Sequence, residues 1–273
     1  QEAIKIGYRH IDTAEGYSNE EGVGRGIDNA MTANNLTRDD IFVTTKLWPG
    51  NPAWGQTAKT QQTTIDSLNQ SLDQLGLDYV DLYLIHAPYL AEDRLEQWKG
   101  IAELQQQGKA KAIGVSNFNI SHIEELKAAG LPVPAANQIE LHPWSQKPEL
   151  VSYLADNGIT AIAYSSLVPL STWRTAPGHD SGKSDQMQAD GERDDAPFKV
   201  MANKYGVSEA QILLRWGVQM GYPVLPKSTN PKRLQQNVDL FSFEIDKTDM
   251  AQVATMDRGD GVAWAIGDPT KVN

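Results

Sequence analysis

Short apolar runs alternate with amphipathic stretches along the chain, and this alternation constrains the fold more than any other feature. IFVTTK (41–46), VDLYLIH (80–86), AKAIGVSN (110–117), AANQIE (135–140), ITAIAYS (159–165) and YPVLPK (222–227) are short and rich in β-branched or apolar residues. With YRHID (8–12) they make seven candidate strands. Their apolar character runs through both sides of the pleat, as in parallel strands buried on both faces. Between them, Ile65, Leu68, Leu72 and Leu75 fall on one face of a helix over 57–75. Residues 94–107 place Leu95, Trp98, Ile101, Ala102 and Leu104 in the same way, with Gly108 as the stop. Helices are also expected at 121–129, 148–157, 207–219 and 231–240. Strand–helix alternation means parallel βαβ units. Seven units of roughly 30 residues fit a (β/α)8 TIM barrel, one domain over 1–273, better than an open doubly wound sheet. An open sheet more often announces a glycine-rich turn after its first strand. Here Gly22-Val23-Gly24-Arg25-Gly26 follows Glu20-Glu21 inside a helical pattern, so it is a weak dinucleotide fingerprint.

Composition narrows the function. The 273 residues hold no cysteine, which excludes a disulfide scaffold, a zinc finger, an iron–sulfur site and a thiol nucleophile. No apolar run of about 18 residues offers a membrane span. A net charge of -11 argues against general nucleic-acid binding, which needs a basic face. No secretory or transit pattern is read, so the expected location is the cytoplasm. Carboxylate clusters such as Glu20-Glu21 and Asp194-Asp195 lack ligand spacing and partners, so no metal is expected. Residues 171–197 are polar and too long for an ordinary connection, which points to a lid over the site or a disordered loop.

In a barrel the chemistry sits at the C-terminal strand ends. The first strand ends at Asp12, with Tyr17 in the following loop, the second at Lys46 and the third at His86. Singly, each has an ordinary explanation: Asp12 as a helix cap, Tyr17 as a wall, Lys46 as a solvated cation, His86 as a structural histidine. Together on successive strand ends they make a proton-transfer set. A tyrosine hydroxyl is a poor acid at neutral pH, and a nearby ammonium stabilises its phenolate. A carboxylate holds that ammonium, and a histidine polarises a carbonyl oxygen. His10 points within its strand, and His122 and His179 read as surface residues.

GYRHIDTAEGYSNEEGVG resembles the signature of the aldo-keto reductases. TKLW (45–48), DYVDLYLIHAP (78–88), GKAKAIGVSNF (108–118), NQIELHP (137–143), AYSSL (163–167) and PKSTNPKRLQQN (226–237) follow in the family's order. The likeness covers residues 3 to about 257, and the chain resembles the small bacterial 2,5-diketo-gluconate reductase-like members, because little chain follows the last helix. It implies a catalytic tetrad of Asp12, Tyr17, Lys46 and His86. NADPH would deliver hydride to the carbonyl carbon of a small aldehyde, ketone or keto-sugar while Tyr17 protonates the oxygen. Ser116, Asn117 and Gln138 would hold the nicotinamide carboxamide, and Tyr164 would stack on the ring, with Ser165 and Leu167 beside it. Lys227, Ser228 and Arg233 would meet the adenosine 2′-phosphate, with Gln236 and Asn237 near the adenine. Cations suit a dianionic phosphate in an otherwise acidic protein. His142 belongs to the family's structural ELHP.

Trp48 would line the substrate pocket. The residue after the catalytic histidine is tryptophan in many members and Ala87 here, which widens the pocket or leaves the wall to Tyr89. Trp173, Arg174 and Trp264 are candidates to close over the site. A non-catalytic NADPH-binding redox sensor, or a truncated inactive homologue, is the alternative reading. A phosphate-binding barrel isomerase is disfavoured, because PKSTNPKR is not a Gly-rich phosphate loop. In the family a floor hairpin, the first barrel strand and most of the first helix precede the point where Gln1 stands, and Gln1–Lys5 looks like the end of that helix. The sequence therefore reads as a barrel lacking its first strand and hairpin, through disorder, proteolysis or truncation. A monomer is expected, with oligomeric edge pairing if the truncation is real.

Overall fold

A computed structural model describes residues 1–170, 193–259 and 268–272. Six strands, β1 (His10–Asp12), β2 (Phe42–Leu47), β3 (Val80–Ile85), β4 (Ala110–Ser116), β5 (Ala136–Glu140) and β6 (Thr160–Tyr164), form one sheet in chain order. Each pair from β1–β2 to β4–β5 is parallel. The helices are α1 (Glu2–Lys5), α2 (Glu20–Asn34), α3 (Gln61–Leu75), α4 (Ala91–Gln106), α5 (Ile120–Ala128), α6 (Pro148–Asp156), α7 (Pro197–Tyr205), α8 (Glu209–Gln219), α9 (Pro231–Val238) and α10 (Lys247–Ala254). No helix among the described residues is long and apolar enough to cross a membrane.

The chain divides into two compact units, Gln1–Gln138 with Tyr153–Thr160 and Pro269–Asn273, and Ile139–Ser152 with Ala161–Asp268. In the first unit β2 and β3 are buried on both faces apart from Phe42 and Asp81, as their unbroken apolar runs require. Helix α3 packs between α2 and α4, and its Leu68, Leu72 and Leu75 are all buried. Thr60 caps α3 through a capping box with Thr63, so the helix starts at Gln61 rather than at 57. Gly108, at φ +77°, follows the end of α4 and carries the left-handed turn expected of it. Gly24 lies within α2, where a Cβ would stand 2.2 Å from the Leu75 carbonyl oxygen. That glycine serves helix-to-helix approach, which explains a glycine cluster outside any strand-to-helix turn.

In the second unit the expected seventh strand, 222–227, is reduced to one parallel bridge between Ala163 and Val224. The Ala163 amide donates to the Pro223 carbonyl at 2.8 Å and the Leu225 amide to the Ala163 carbonyl at 3.2 Å. Pro223 and Pro226 have no amide hydrogen to extend the ladder. Here α7 packs on α8, and α8 on α9. Helix α7 starts at Pro197, so only 193–196 of the expected long loop is described, with Arg193 paired to Asp195.

Candidate active site

Register and pleat assemble the site in the first unit. Asp12 pairs with Thr44, Thr44 with Leu82 and Leu82 with Ala112, while Ser116 pairs with Gln138. Side chains alternate faces along a strand. Asp12, Lys46, Ser116 and Gln138 therefore share one face at the C-terminal strand ends, and His86, one residue past β3, continues it.

Lys46 is fully buried. Its ammonium donates to Asp12 Oδ1 and, at 2.9 Å, to the Thr13 carbonyl oxygen. The second Asp12 oxygen accepts from Gln138 Nε2 at 2.8 Å. An unpaired ammonium here would carry a large desolvation cost, so the carboxylate is what allows a charge at this depth. Tyr17 sits in the short 3-10 turn Glu15–Tyr17 and is 48% exposed, the most exposed member of the four. Its ring centroid lies 5.1 Å from Lys46 Nζ and 5.4 Å, edge-on, from that of His86. Burial, and then the Lys46 charge, push the His86 imidazole down to about 3. His86 is thus neutral at physiological pH, able to donate a hydrogen bond but without a spare proton.

Three further expected residues are wired into this cluster. Ser116 Oγ donates to the Gln138 carbonyl at 2.8 Å. Asn117 donates through its amide to the same carbonyl at 2.9 Å and through Nδ2 to the His86 carbonyl at 2.9 Å. Asn117 adopts φ +63°, a left-handed conformation that asparagine tolerates better than most residues.

An aromatic wall adjoins Tyr17 and His86. Trp48 meets His86 edge-on at 5.5 Å and Tyr89 at 6.0 Å. Trp54, half exposed, stacks on Trp48 at 5.8 Å and 12° and touches Tyr89 at 6.2 Å. Burial pushes the Tyr89 hydroxyl up to about 12. Ala87 is fully buried.

The other expected cofactor residues lie in the second unit. Tyr164 ends β6, and Ser165 follows at φ +57°, a left-handed conformation costly for serine. The Val168 amide caps that turn on the Ser165 carbonyl at 2.9 Å, with Leu167 half-buried within it. Ser228 Oγ accepts from the Asn230 amide at 3.1 Å. Asn230 then caps α9 by accepting from the amides of Lys232 and Arg233. Lys227, Arg233 and Gln236 are exposed and Asn237 is buried. Neither Lys227 nor Arg233 pairs with an acidic side chain among the described residues.

Several expectations are corrected. His122 is not a surface residue but 2% exposed: the capping box with Asn119 turns its ring inward, edge-on to Phe118 at 5.5 Å. Burial, then Arg94, push it down to about 4. Glu20 is not a carboxylate without partners, because it is buried and accepts from the hydroxyls of Thr45 and Ser71. His142, expected to be structural, is indeed buried and bonded to Glu140 at 2.9 Å. Trp173, Arg174, His179 and Trp264 lie outside the described residues. Sequence reasoning did not single out Glu15, Lys59 or Trp54, which surround Trp48. Trp54 left a faint signal, a large apolar residue in a Pro/Gly turn with no helical or strand period to absorb it.

A parallel α/β sheet with Asp, Lys, Tyr and His gathered at its strand ends defines a class of oxidoreductase fold. The chain matches the Aldo/keto reductase family over residues 1–258 and belongs to it. It is 38% identical over 260 residues to the methylglyoxal reductase DkgA of Escherichia coli K12, spanning 95% of this chain and 83% of that one. It is 40% identical over 259 residues to a Bombyx mori aldo-keto reductase, AKR2E4, spanning 92% of this chain and 79% of that one. The crystal structure of the Bombyx mori enzyme in complex with NADP superposes with a TM-score of 0.81, at 37% identity, over 96% of this chain and 82% of that one.

Proposed function

We propose that the protein reduces the carbonyl group of small aldehydes, ketones or keto-sugars with NADPH, and that Tyr17 is the general acid. The observation that carries this reading is the buried Lys46 ammonium, held between Asp12 and the Thr13 carbonyl, 5.1 Å from the Tyr17 ring. The ammonium offers positive charge to the phenolic oxygen as its proton leaves. Asp12 keeps that charge in place. His86, neutral because its imidazole is pushed down to about 3, donates a hydrogen bond that orients the substrate oxygen and leaves the proton to Tyr17. Acid catalysis of this kind contributes about 10²–10⁴-fold.

The residues present fit NADPH. Lys227 and Arg233 are exposed cations without acidic partners among the described residues, as a 2′-phosphate requires. They would meet that phosphate, with Ser228 between them and Gln236 and Asn237 toward the adenine. Ser116, Asn117 and Gln138 offer hydroxyl and amide groups complementary to a carboxamide, and Tyr164, with Ser165 and Leu167, would cover the ring. When bound, NADPH supplies hydride to the carbonyl carbon. Trp48 and Tyr89 would exclude water beside the reacting oxygen, with Ala87 leaving room for substrate. The six strands in order and the bridge at Val224 support successive positions of a (β/α)8 barrel domain. The likeness to methylglyoxal reductases makes small 2-oxoaldehydes the first substrates to test.

The test is stopped-flow loss of NADPH absorbance with a panel of carbonyl compounds, on the wild type and Tyr17→Phe. The wild type turns over, while the variant binds NADPH normally and loses about 10²-fold or more in kcat. Tight NADPH binding by the wild type with no turnover on any compound would sink the enzymatic reading. Loss of binding together with turnover in the variant would make Tyr17 structural.

A further inference from the structure

Glu15 lies two residues before Tyr17, in the same 3-10 turn, and its two carboxylate oxygens point to different elements. Oε2 accepts from the Trp48 backbone amide at 2.9 Å. Oε1 accepts from the Lys59 ammonium, which also donates to Ser67 Oγ on α3. The Trp48 amide lies just beyond the end of β2, where the chain after β1 has already turned away and no strand carbonyl is left to take it. A backbone donor in that position needs a partner, and a carboxylate is a strong one.

Between Trp48 and Lys59 the chain leaves the sheet and returns. Its base is closed tightly. The Lys59 amide donates to the Pro49 carbonyl at 3.0 Å, and the fully buried Gln97 of α4 bridges the Pro49 and Lys59 carbonyls at 3.1 and 3.2 Å. Gly50, at φ +83°, has no room for a side chain, since a Cβ there would stand 2.2 Å from the Thr57 carbonyl oxygen. This loop carries Trp54, which lies flat on Trp48, and Gln56, which accepts from Trp48 Nε1 at 2.7 Å. Glu15 thus binds both ends of the loop, Trp48 where it begins and Lys59 where it closes.

We propose that Glu15 is a positioning residue. It ties the turn carrying Tyr17 to the loop carrying Trp48 and Trp54, and so sets the width of the aromatic mouth over Tyr17 and His86. Lys59 is its counter-ion and completes the latch. The consequence for substrate selection rests on the reading of Tyr17 and His86 as the reacting site, whereas the latch itself does not. With the latch intact, the Trp48–Trp54 stack is held at one distance from Tyr17, which favours flat aromatic carbonyl compounds that fill the mouth. Without it, the loop pivots on its closed base, and such substrates lose their wall before small ones do.

Two measurements on Glu15→Ala, Glu15→Gln and Lys59→Met test this. The first is hydrogen exchange of the Trp48 backbone amide, read by NMR on protein labelled with [15N]tryptophan and assigned with Trp48→Phe. Exchange accelerates about ten-fold or more in Glu15→Ala, as loss of a charge-assisted hydrogen bond implies, and less in Glu15→Gln, which keeps one acceptor. The second is KM for benzaldehyde against KM for propanal. The benzaldehyde value rises by about ten-fold in Glu15→Ala and Lys59→Met, and the propanal value changes by less than about two-fold. Unchanged Trp48 exchange in Glu15→Ala overturns the latch. Equal changes in the two KM values overturn its role in selection. If Glu15→Ala does not fold, Lys59→Met, which leaves the carboxylate on the Trp48 amide, decides the KM arm, and Glu15→Gln decides the exchange arm. A wild type without reductase activity would refute the catalytic reading alone, since the exchange arm still reports on the latch.

Discussion

Lys46 is where single-residue chemistry is most exposed to view. The end of an apolar strand is a costly place for an ammonium, and that cost is legible in the sequence without any coordinates. What offsets it was only half legible. Asp12 ends the neighbouring strand and so is legible as a partner, but the Thr13 carbonyl and the Gln138 amide at the second Asp12 oxygen depend on register. The asymmetry has a measurable result. Asp12→Ala leaves a fully buried ammonium short of its counter-charge and costs about 3–5 kcal/mol. Lys46→Met leaves a carboxylate that keeps its Gln138 bond and some solvent, so it costs clearly less. Urea denaturation of both variants checks the order, and a reversed order would mean that Lys46 is not the dominant buried charge. His122 shows the opposite case. Its position in the sequence, near a helix start, reads as surface, and only the capping box reveals the inward turn.

At the scale of elements, six strands and the helices between them are legible in place, whereas α7 and α10 have no counterpart among the helices expected from the sequence and boundaries shift by a few residues. Helix α3 begins at Gln61 because Thr60 caps it, and α9 ends at Val238 rather than Leu240. The seventh strand failed for a chemical reason visible in its own letters, two prolines within six residues. The start of α9 is a better-defined object than its sequence suggested. Asn230 holds the amides of Lys232 and Arg233, so the backbone at the helix start that carries Arg233 is pinned. Arg233→Ala is therefore expected to raise KM for NADPH about 10- to 100-fold, the worth of a charge-assisted bond, and to leave KM for NADH nearly unchanged. Steady-state kinetics with the two nucleotides make the comparison, and equal effects would remove the 2′-phosphate assignment. Tryptophans 48 and 54 belong to this scale too, because their stacking follows from the closed base of one loop rather than from any local pattern.

Across the whole molecule, burial of histidines sets a pH dependence of stability. His86 is pushed down to about 3, His122 to about 4, and His10 is also lowered, each chiefly by burial. In the unfolded chain an imidazole takes its proton near pH 6.5. Between that value and the folded ones, the unfolded state binds protons that the folded state refuses. The stabilisation is therefore complete above about pH 6.5 and drains away as the pH falls toward 3. Urea midpoints should be flat from pH 8 to 7 and drop steadily below 6.5, and His122→Gln should flatten part of that slope. A variant with the wild-type slope would show that His122 takes up its proton in the folded state as readily as in the unfolded one. The sequence by itself determined the family, the alternation of strands and helices, and the choice of Asp12, Tyr17, Lys46 and His86 as one candidate set. Each of those is carried by residue type and by spacing along the chain. Tertiary structure alone decided which carbonyl and amide complete the Lys46 site, that His122 and Glu20 are buried, that Trp54 lies on Trp48, and that Glu15 joins two loops. The Glu20, Glu15 and Asp12 contacts link residues 25 to 126 positions apart, and the strand register and loop closure that bring them together are properties of the folded chain, not of any local window.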